Sequence, residues 1–159
     1  MNRVGLGFDL HPLVRGRPLV LGGVTVPSEV GLDGHSDADV LAHAIGEALL
    51  GALALGDLGR HFPDTDPRWR GASSLALLRH VVALLGERGA RIVNVDATVL
   101  AQGPRLAPWL DEMVKALADA LGVPVARVSV KAKSPEGLGL VGRREGIAAM
   151  AAVSVETME

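Results

Sequence analysis

At 159 residues the chain is sized for one domain, read here as residues 1–159, and its 48% hydrophobic content with 3% aromatics and no tyrosine means a core of Leu, Val and Ala. A net charge of −2 with no basic block argues against nucleic-acid binding, and the absence of cysteine excludes disulfides and thiolate chemistry, so any metal must be held by His and carboxylates. No stretch approaches the roughly eighteen apolar residues of a membrane span, and no basic-then-apolar leader opens the chain, so the expectation is a cytoplasmic protein without membrane partners.

Residues 3–9 read as a strand, 11–17 as a turn, and 18–26 as a second strand in which Gly22 and Gly23 mark a bulge or bend. Arg15 and Arg17 lie in the turn, open either to phosphate or simply to solvent. A glycine-containing stretch at 31–34 leads to a helix with Ser36 as N-cap and Asp39 at N3, a carboxylate variant of the capping box. Its apolar stripe is Val40, Leu41, Ala44, Ile45, Ala48, Leu49 and Ala52, and it stops near Gly56. The segment DLGRHFPDTDP at 57–67, with two prolines and three aspartates, reads as neither helix nor strand. A second helix runs from Ser73 or Ser74 to about Glu87, a strand from 91 to 102, and a third helix over 110–121. A strand at 127–133, a glycine-rich loop at 134–142 and a final strand at 146–155 complete the chain.

Three helices cover only one face of such a sheet. Val93, Val95, Ala97 and Val99 are too apolar for the other face to sit in water, so the pattern points to an oligomer rather than a monomer with a polar outer face.

The polar residues between 9 and 43 carry the chemistry. Asp9 and His11 are two apart, so on a strand they point the same way. Asp39 and His43 are four apart, so on a helix they share a face. Among these two carboxylates and two imidazoles, Asp9, His11 and His43 form the best ligand set, with a position left open as in catalytic zinc sites. The bland alternatives are helix-starting aspartates at 37 and 39 and a core histidine at 43. His35 is harder to explain structurally, because its loop has no apolar pattern. Asp57, Asp64 and Asp66 can cap turns or accept hydrogen bonds from sugar hydroxyls.

The motifs GFDLH (7–11), LDGHSDADVLAHA (32–44), LGDLGRHFPDTDP (55–67), NVDATVLAQGP (94–104), VKAKSPEGLG (130–139) and GRREGIA (142–148), in this order, resemble the 2-C-methyl-D-erythritol 2,4-cyclodiphosphate synthase family over essentially the whole chain. The resemblance implies an α+β fold: a two-layer α/β sandwich with a mixed sheet, helices on one face and the other face packed around the threefold axis of a homotrimer, with active sites between subunits. It implies metal-assisted intramolecular phosphoryl transfer, converting a CDP-linked methylerythritol 2-phosphate to the cyclic diphosphate and CMP. The runner-up reading is a non-enzymatic oligomeric small-molecule binder with a structural metal.

By the same resemblance, Asp9, His11 and His43 hold Zn2+, and Glu136 serves a second ion, Mg2+ or Mn2+. His35 and Ser134 act on the transferring phosphates. Ser36, Asp57, Gly59, Phe62, Asp64 and Asp66 line the methylerythritol side. Ala101, Gly103, Pro104, Arg105, Leu106, Ala107, Ala132, Lys133 and Ser134 hold the cytidine end, largely through backbone groups; Arg143 stands near either the phosphate or the threefold axis, and Leu140 is a packing contact of the substrate region. Lys133-Ser134 replaces a usual Thr-Thr pair, keeping one hydroxyl and adding a charge, and Leu140 stands where phenylalanine is frequent.

Overall fold

Strand β1 (Asn2–Arg15) sets the frame of the computed structural model, which describes residues 1–158. Its odd-numbered residues from Arg3 to Leu13 face the helices and its even-numbered residues from Asn2 to Pro12 face away, the period of two expected for a strand. It belongs to a five-stranded sheet in the order β4 (Val30–Leu32), β1, β7 (Gly146–Thr157), β5 (Ala90–Leu100), β6 (Val128–Lys133). Every neighbour pair is antiparallel except β5 with β6. A separate hairpin joins β2 (Leu19–Leu21) to β3 (Val24–Val26).

Helix α1 (Val40–Ala52) lies across β1 and β7, with ten of its thirteen residues buried. The approach is close because β1 carries Gly5 and Gly7 beneath the helix. A Cβ at Gly5 would stand 1.8 Å from the Ala48 carbonyl oxygen, and one at Gly7 1.9 Å from that of Ala44. Helices α3 (Ser74–Glu87) and α4 (Leu110–Leu121) extend the same layer over β5 and β6. Leu41, Ile45, Leu49, Leu78, Leu85, Met113 and Leu117 fill the space between the layers, giving the almost wholly non-aromatic core that the composition demands.

The expected mixed sheet with one helical layer is present, with several local differences. Residues 11–15 are strand rather than turn: β4 pairs with Leu13–Arg15, and this long-range ladder overrides the turn signals of Pro12 and Gly16. Gly22 and Gly23, both at positive φ, form the two-residue turn of the β2–β3 hairpin. The N-cap of α1 is Asp39, which accepts from Ala42 N at 3.0 Å, whereas the Ser36 hydroxyl accepts from Ala38 N. Asp39 also accepts from the backbone of Gly22 at 2.9 Å and Gly23 at 2.7 Å, tying the hairpin turn to the helix start. Complete burial pushes its carboxyl up to about 6 against these three donors.

The segment 57–67 is not free of helix. Asp57 caps α2 (Leu58–His61), and Asp66 caps a 3-10 turn at Pro67–Trp69. Short side-chain caps let a proline-bounded loop form single helical turns that periodicity cannot reveal. The loop after β6 likewise closes in one turn, α5 (Gly139–Gly142).

The uncovered sheet face is also not the one expected. Val95, Ala97 and Val99 point into the core, and a bulge between Ile92 and Asn94 leaves Val93 37% exposed. The large, exposed apolar side chains on the open face are Val4, Leu6, Phe8, Leu10 and Met150.

Candidate metal centre and adjoining hollow

Asp9 and His11 lie on the helix-facing side of β1, and the glycine-floored approach of α1 brings His43 down to them. Asp9 Oδ2 is 2.8 Å from His11 Nε2 and 3.1 Å from His43 Nδ1, and the two ring nitrogens are 3.3 Å apart. Donors about 2.1 Å from a tetrahedral ion stand roughly 3.4 Å from one another, so the three atoms fit a zinc-sized ion once the Asp9–His11 pair opens by a few tenths of an ångström. The chemistry of the donor set agrees. His11 Nδ1 lies 3.0 Å from the Asp33 carbonyl, which can only accept, so Nδ1 donates and Nε2 presents its lone pair to Asp9. Facing acceptors of this kind need a cation between them.

Without metal that cation is a proton. Hydrogen bonding to Asp9 raises the pKa of His11 against the cost of burial. Burial opposes ionisation of Asp9, but hydrogen bonds and charge from His11 and His43 outweigh it and hold the carboxyl well below its usual range. A zinc ion bound here would therefore have to displace a proton from His11. The affinity is expected to climb by up to about tenfold per pH unit until pH passes the raised His11 pKa, then level off. The metal-free chain loses the His11 contribution over the same rise, since a raised folded pKa stabilises only below it. The melting-temperature gap between zinc-loaded and metal-free protein should widen from pH 6 to 8; a gap independent of pH would contradict the assignment.

The triad opens on a hollow of about 380 Å3, lined also by His35, Ser36, Gly59, Phe62 and Asp64, together with Gly34, Glu47, Leu58, Trp69 and Leu77. His35 Nε2 stands 3.2 Å from the Asp66 carbonyl, to which it donates, leaving Nδ1 for a ligand. Phe62 packs edge-on against Trp69 at 5.0 Å to wall one side. A second polar hollow shares Gly34, His35 and Ser36 and adds Arg17 and Arg70. Arg17 is half-buried and engaged in hydrogen bonds. It donates to Asp33 Oδ1 and to the carbonyls of Gly34 and Ser36, clamping the loop that carries His35.

The other anticipated residues fall elsewhere. Asp57 and Asp66 cap their turns, and Asp66 pairs with Arg68 at 2.7 Å; neither lines the hollow. Asp39 is sealed in the core, away from the triad. Ala101, Gly103, Pro104, Arg105 and Ala107 follow β5, and Ala132, Lys133, Ser134, Glu136, Leu140 and Arg143 lie at or beyond the end of β6. None of them lines the hollow of this chain. Leu10, Ala148, Leu100 and Lys133 share one row across the sheet, so β6 is three strand spacings, about 14 Å, from β1. Within this second group Ser134 Oγ accepts from Glu136 N, Gly137 N donates to Gln102 Oε1, and Arg143 pairs with Glu145 at 2.6 Å. Leu106 is 4% exposed, its side chain packed into the core.

Two contributors escaped the sequence reading. Glu47, its pKa raised by burial, lines the hollow one turn beyond His43, a spacing the sequence does display. Ser74 lies against His43, a contact with no sequence signal because 31 residues separate them.

A one-carboxylate, two-imidazole cluster able to coordinate a metal ion and open to a hollow has the arrangement of catalytic metal sites, because structural zinc sites close their fourth position with protein. The chain belongs to the YgbB family, whose model matches residues 2–156. It is 60% identical over 154 residues to 2-C-methyl-D-erythritol 2,4-cyclodiphosphate synthase of Geobacter metallireducens, covering 97% of this chain and 98% of that one. Among solved structures it superposes on a 2C-methyl-D-erythritol-2,4-cyclodiphosphate synthase in its CDP-bound form with a TM-score of 0.89 and 40% identity, over 97% of this chain and all of that one. The bifunctional IspDF from Campylobacter jejuni matches with a TM-score of 0.96 and 39% identity over the whole chain, which spans 43% of that protein. Among the described residues, no helix is long and apolar enough to cross a membrane.

Proposed function

We propose that this chain is a phosphorus–oxygen lyase that converts 4-diphosphocytidyl-2-C-methyl-D-erythritol 2-phosphate to 2-C-methyl-D-erythritol 2,4-cyclodiphosphate and CMP. The observation that carries this is 60% identity along nearly the full length of a named synthase, together with the Asp9–His11–His43 cluster in this chain. An oxygen of the 2-phosphate attacks the β-phosphorus, the bond from that phosphorus to the bridging oxygen breaks, and CMP leaves with that oxygen. No protein nucleophile is needed, in keeping with the absence of cysteine.

The chain's task is to hold two anions together and bend the substrate into a ring. Asp9, His11 and His43 would hold Zn2+, which supplies a Lewis acid and template at the β-phosphate. His35 and Ser36 sit where the Arg17- and Arg70-lined hollow meets the metal-side hollow, and they would receive the attacking phosphate. Gly59, Phe62 and Asp64, with Asp57 and Asp66 in the same loop, would surround the methylerythritol. Ser134 would donate to the phosphates, and Glu136 would supply an oxygen to a Mg2+ or Mn2+ ion that would help to neutralise their charge. The backbone of 101–107 and 132–134 would take the cytidine.

The separation of these two groups within one chain supports a homotrimer with each site shared by neighbours. The exposed stripe of Val4, Leu6, Phe8, Leu10 and Met150 offers the apolar face such an assembly would cover.

Incubation of the purified protein with this substrate, Zn2+ and Mg2+ should release CMP in step with the cyclic diphosphate; no CMP would overturn the assignment. Mixed assemblies of His43→Ala with a bulky replacement of Gly103, each inactive alone, should regain part of the activity. If mixed trimers form and stay inactive, the shared-site reading fails while the reaction stands.

A further inference from the structure

We infer that Ser74 and Asp37 are positioning residues for the metal ligand His43, forming a carboxylate–hydroxyl–imidazole chain that turns the His43 Nδ1 lone pair towards Asp9 and His11. This rests on the metal reading of the site. His43 Nε2 lies 2.8 Å from Ser74 Oγ and, less closely, 3.2 Å from Ser36 Oγ. Ser74 Oγ in turn makes a short hydrogen bond to Asp37 Oδ1. Asp37 is surrounded by donors: its Oδ1 also accepts from Asp39 N at 3.1 Å, and its Oδ2 accepts from Ser74 N at 3.0 Å.

Polarity follows from chemistry alone. An ionised carboxylate can only accept, so the single Ser74 hydroxyl proton is committed to Asp37. Ser74 then has only lone pairs to offer His43, and the ring must donate from Nε2. A neutral imidazole that donates at Nε2 is unprotonated at Nδ1, the atom 3.1 Å from Asp9 Oδ2 and 3.3 Å from His11 Nε2. His11 is oriented by the same logic through a backbone carbonyl; His43 is held through a side chain on another helix. Ser74 is the first residue of α3 and is 1% exposed, so water does not substitute for its hydroxyl.

The test compares wild type, Ser74→Ala and Ser74→Thr for zinc affinity by chelator competition, and follows the His43 Nε2–H of the zinc-loaded protein by NMR. Ser74→Ala should weaken zinc about 10–100-fold while keeping its far-ultraviolet spectrum, and Ser74→Thr, which keeps the hydroxyl, should recover most of the loss. The wild-type Nε2–H should exchange slowly with solvent and Ser74→Ala should lose that protection. Equal zinc affinity in wild type and Ser74→Ala overturns this inference alone. So does a wild-type Nε2–H exchanging like that of an exposed imidazole, a measurement that stands even if the variants fail to fold. A wild type that takes up no zinc overturns the metal reading and this inference together.

Discussion

Purified His43→Ala should keep its fold and carry almost no zinc, where the wild type carries about one ion per chain. Its turnover should fall by at least about 10^3-fold, because a Lewis-acid contact at a transferring phosphate is worth several kcal/mol and each 1.36 kcal/mol is a factor of ten. The fold survives because the truncation leaves Asp9 and His11 joined at 2.8 Å, a pair that supports itself with a proton between them. What is lost is the third donor and, with it, the one imidazole supplied by a helix rather than by β1. Metal content by atomic absorption, with circular dichroism on the same samples, separates ligand loss from unfolding. Equal zinc in both proteins would remove His43 from the site.

Gly7→Val should be nearly as damaging without touching a polar group. A Cβ at residue 7 would lie 1.9 Å from the Ala44 carbonyl oxygen and 2.7 Å from Ala48 N, against an ordinary contact above 3.4 Å. These are backbone atoms of a helix, so no side chain can swing aside. Either α1 lifts from the sheet by more than about 1 Å or β1 distorts, and Ala44 is the residue after His43. Overpacking costs of this kind run to about 3 kcal/mol or more, a fall in melting temperature of about 6–12 °C at this size. Displacing one ligand by that much should also weaken zinc by at least about a hundredfold. Gly86→Ala is the control: it lies in α3 with nothing within 4 Å, so it should be neutral or gain up to about 1 kcal/mol. A Gly7→Val protein with wild-type stability and zinc affinity would show that the close approach does not position His43.

Local signals carried the three long helices. The stripe of α1, the boundaries of α3 near Ser74 and Glu87, and α4 over Leu110–Leu121 are set by apolar periodicity and, for α3 and α4, by Gly89 and Gly122 just past their ends. The two-residue spacing of Asp9 and His11 was legible for the same reason: alternate strand residues share a face whatever lies beyond them. The single helical turns of α2 and α5 were not legible, since four residues offer no period to read.

What the amino-acid sequence determined by itself was the donor inventory, the long elements and, through six ordered motifs, the family. Only the tertiary structure decided how those pieces meet. It extended β1 past His11 by pairing Leu13–Arg15 with β4, assigned Asp39 to the hairpin turn instead of the metal, and turned Val95, Ala97 and Val99 inward. It also set Ser74 against His43 across 31 residues of chain. Each of these outcomes depends on a partner far away in sequence. Which face of a strand is covered, and which acceptor a given N–H finds, is settled by packing competition among all the elements, and no window of neighbouring residues contains that information.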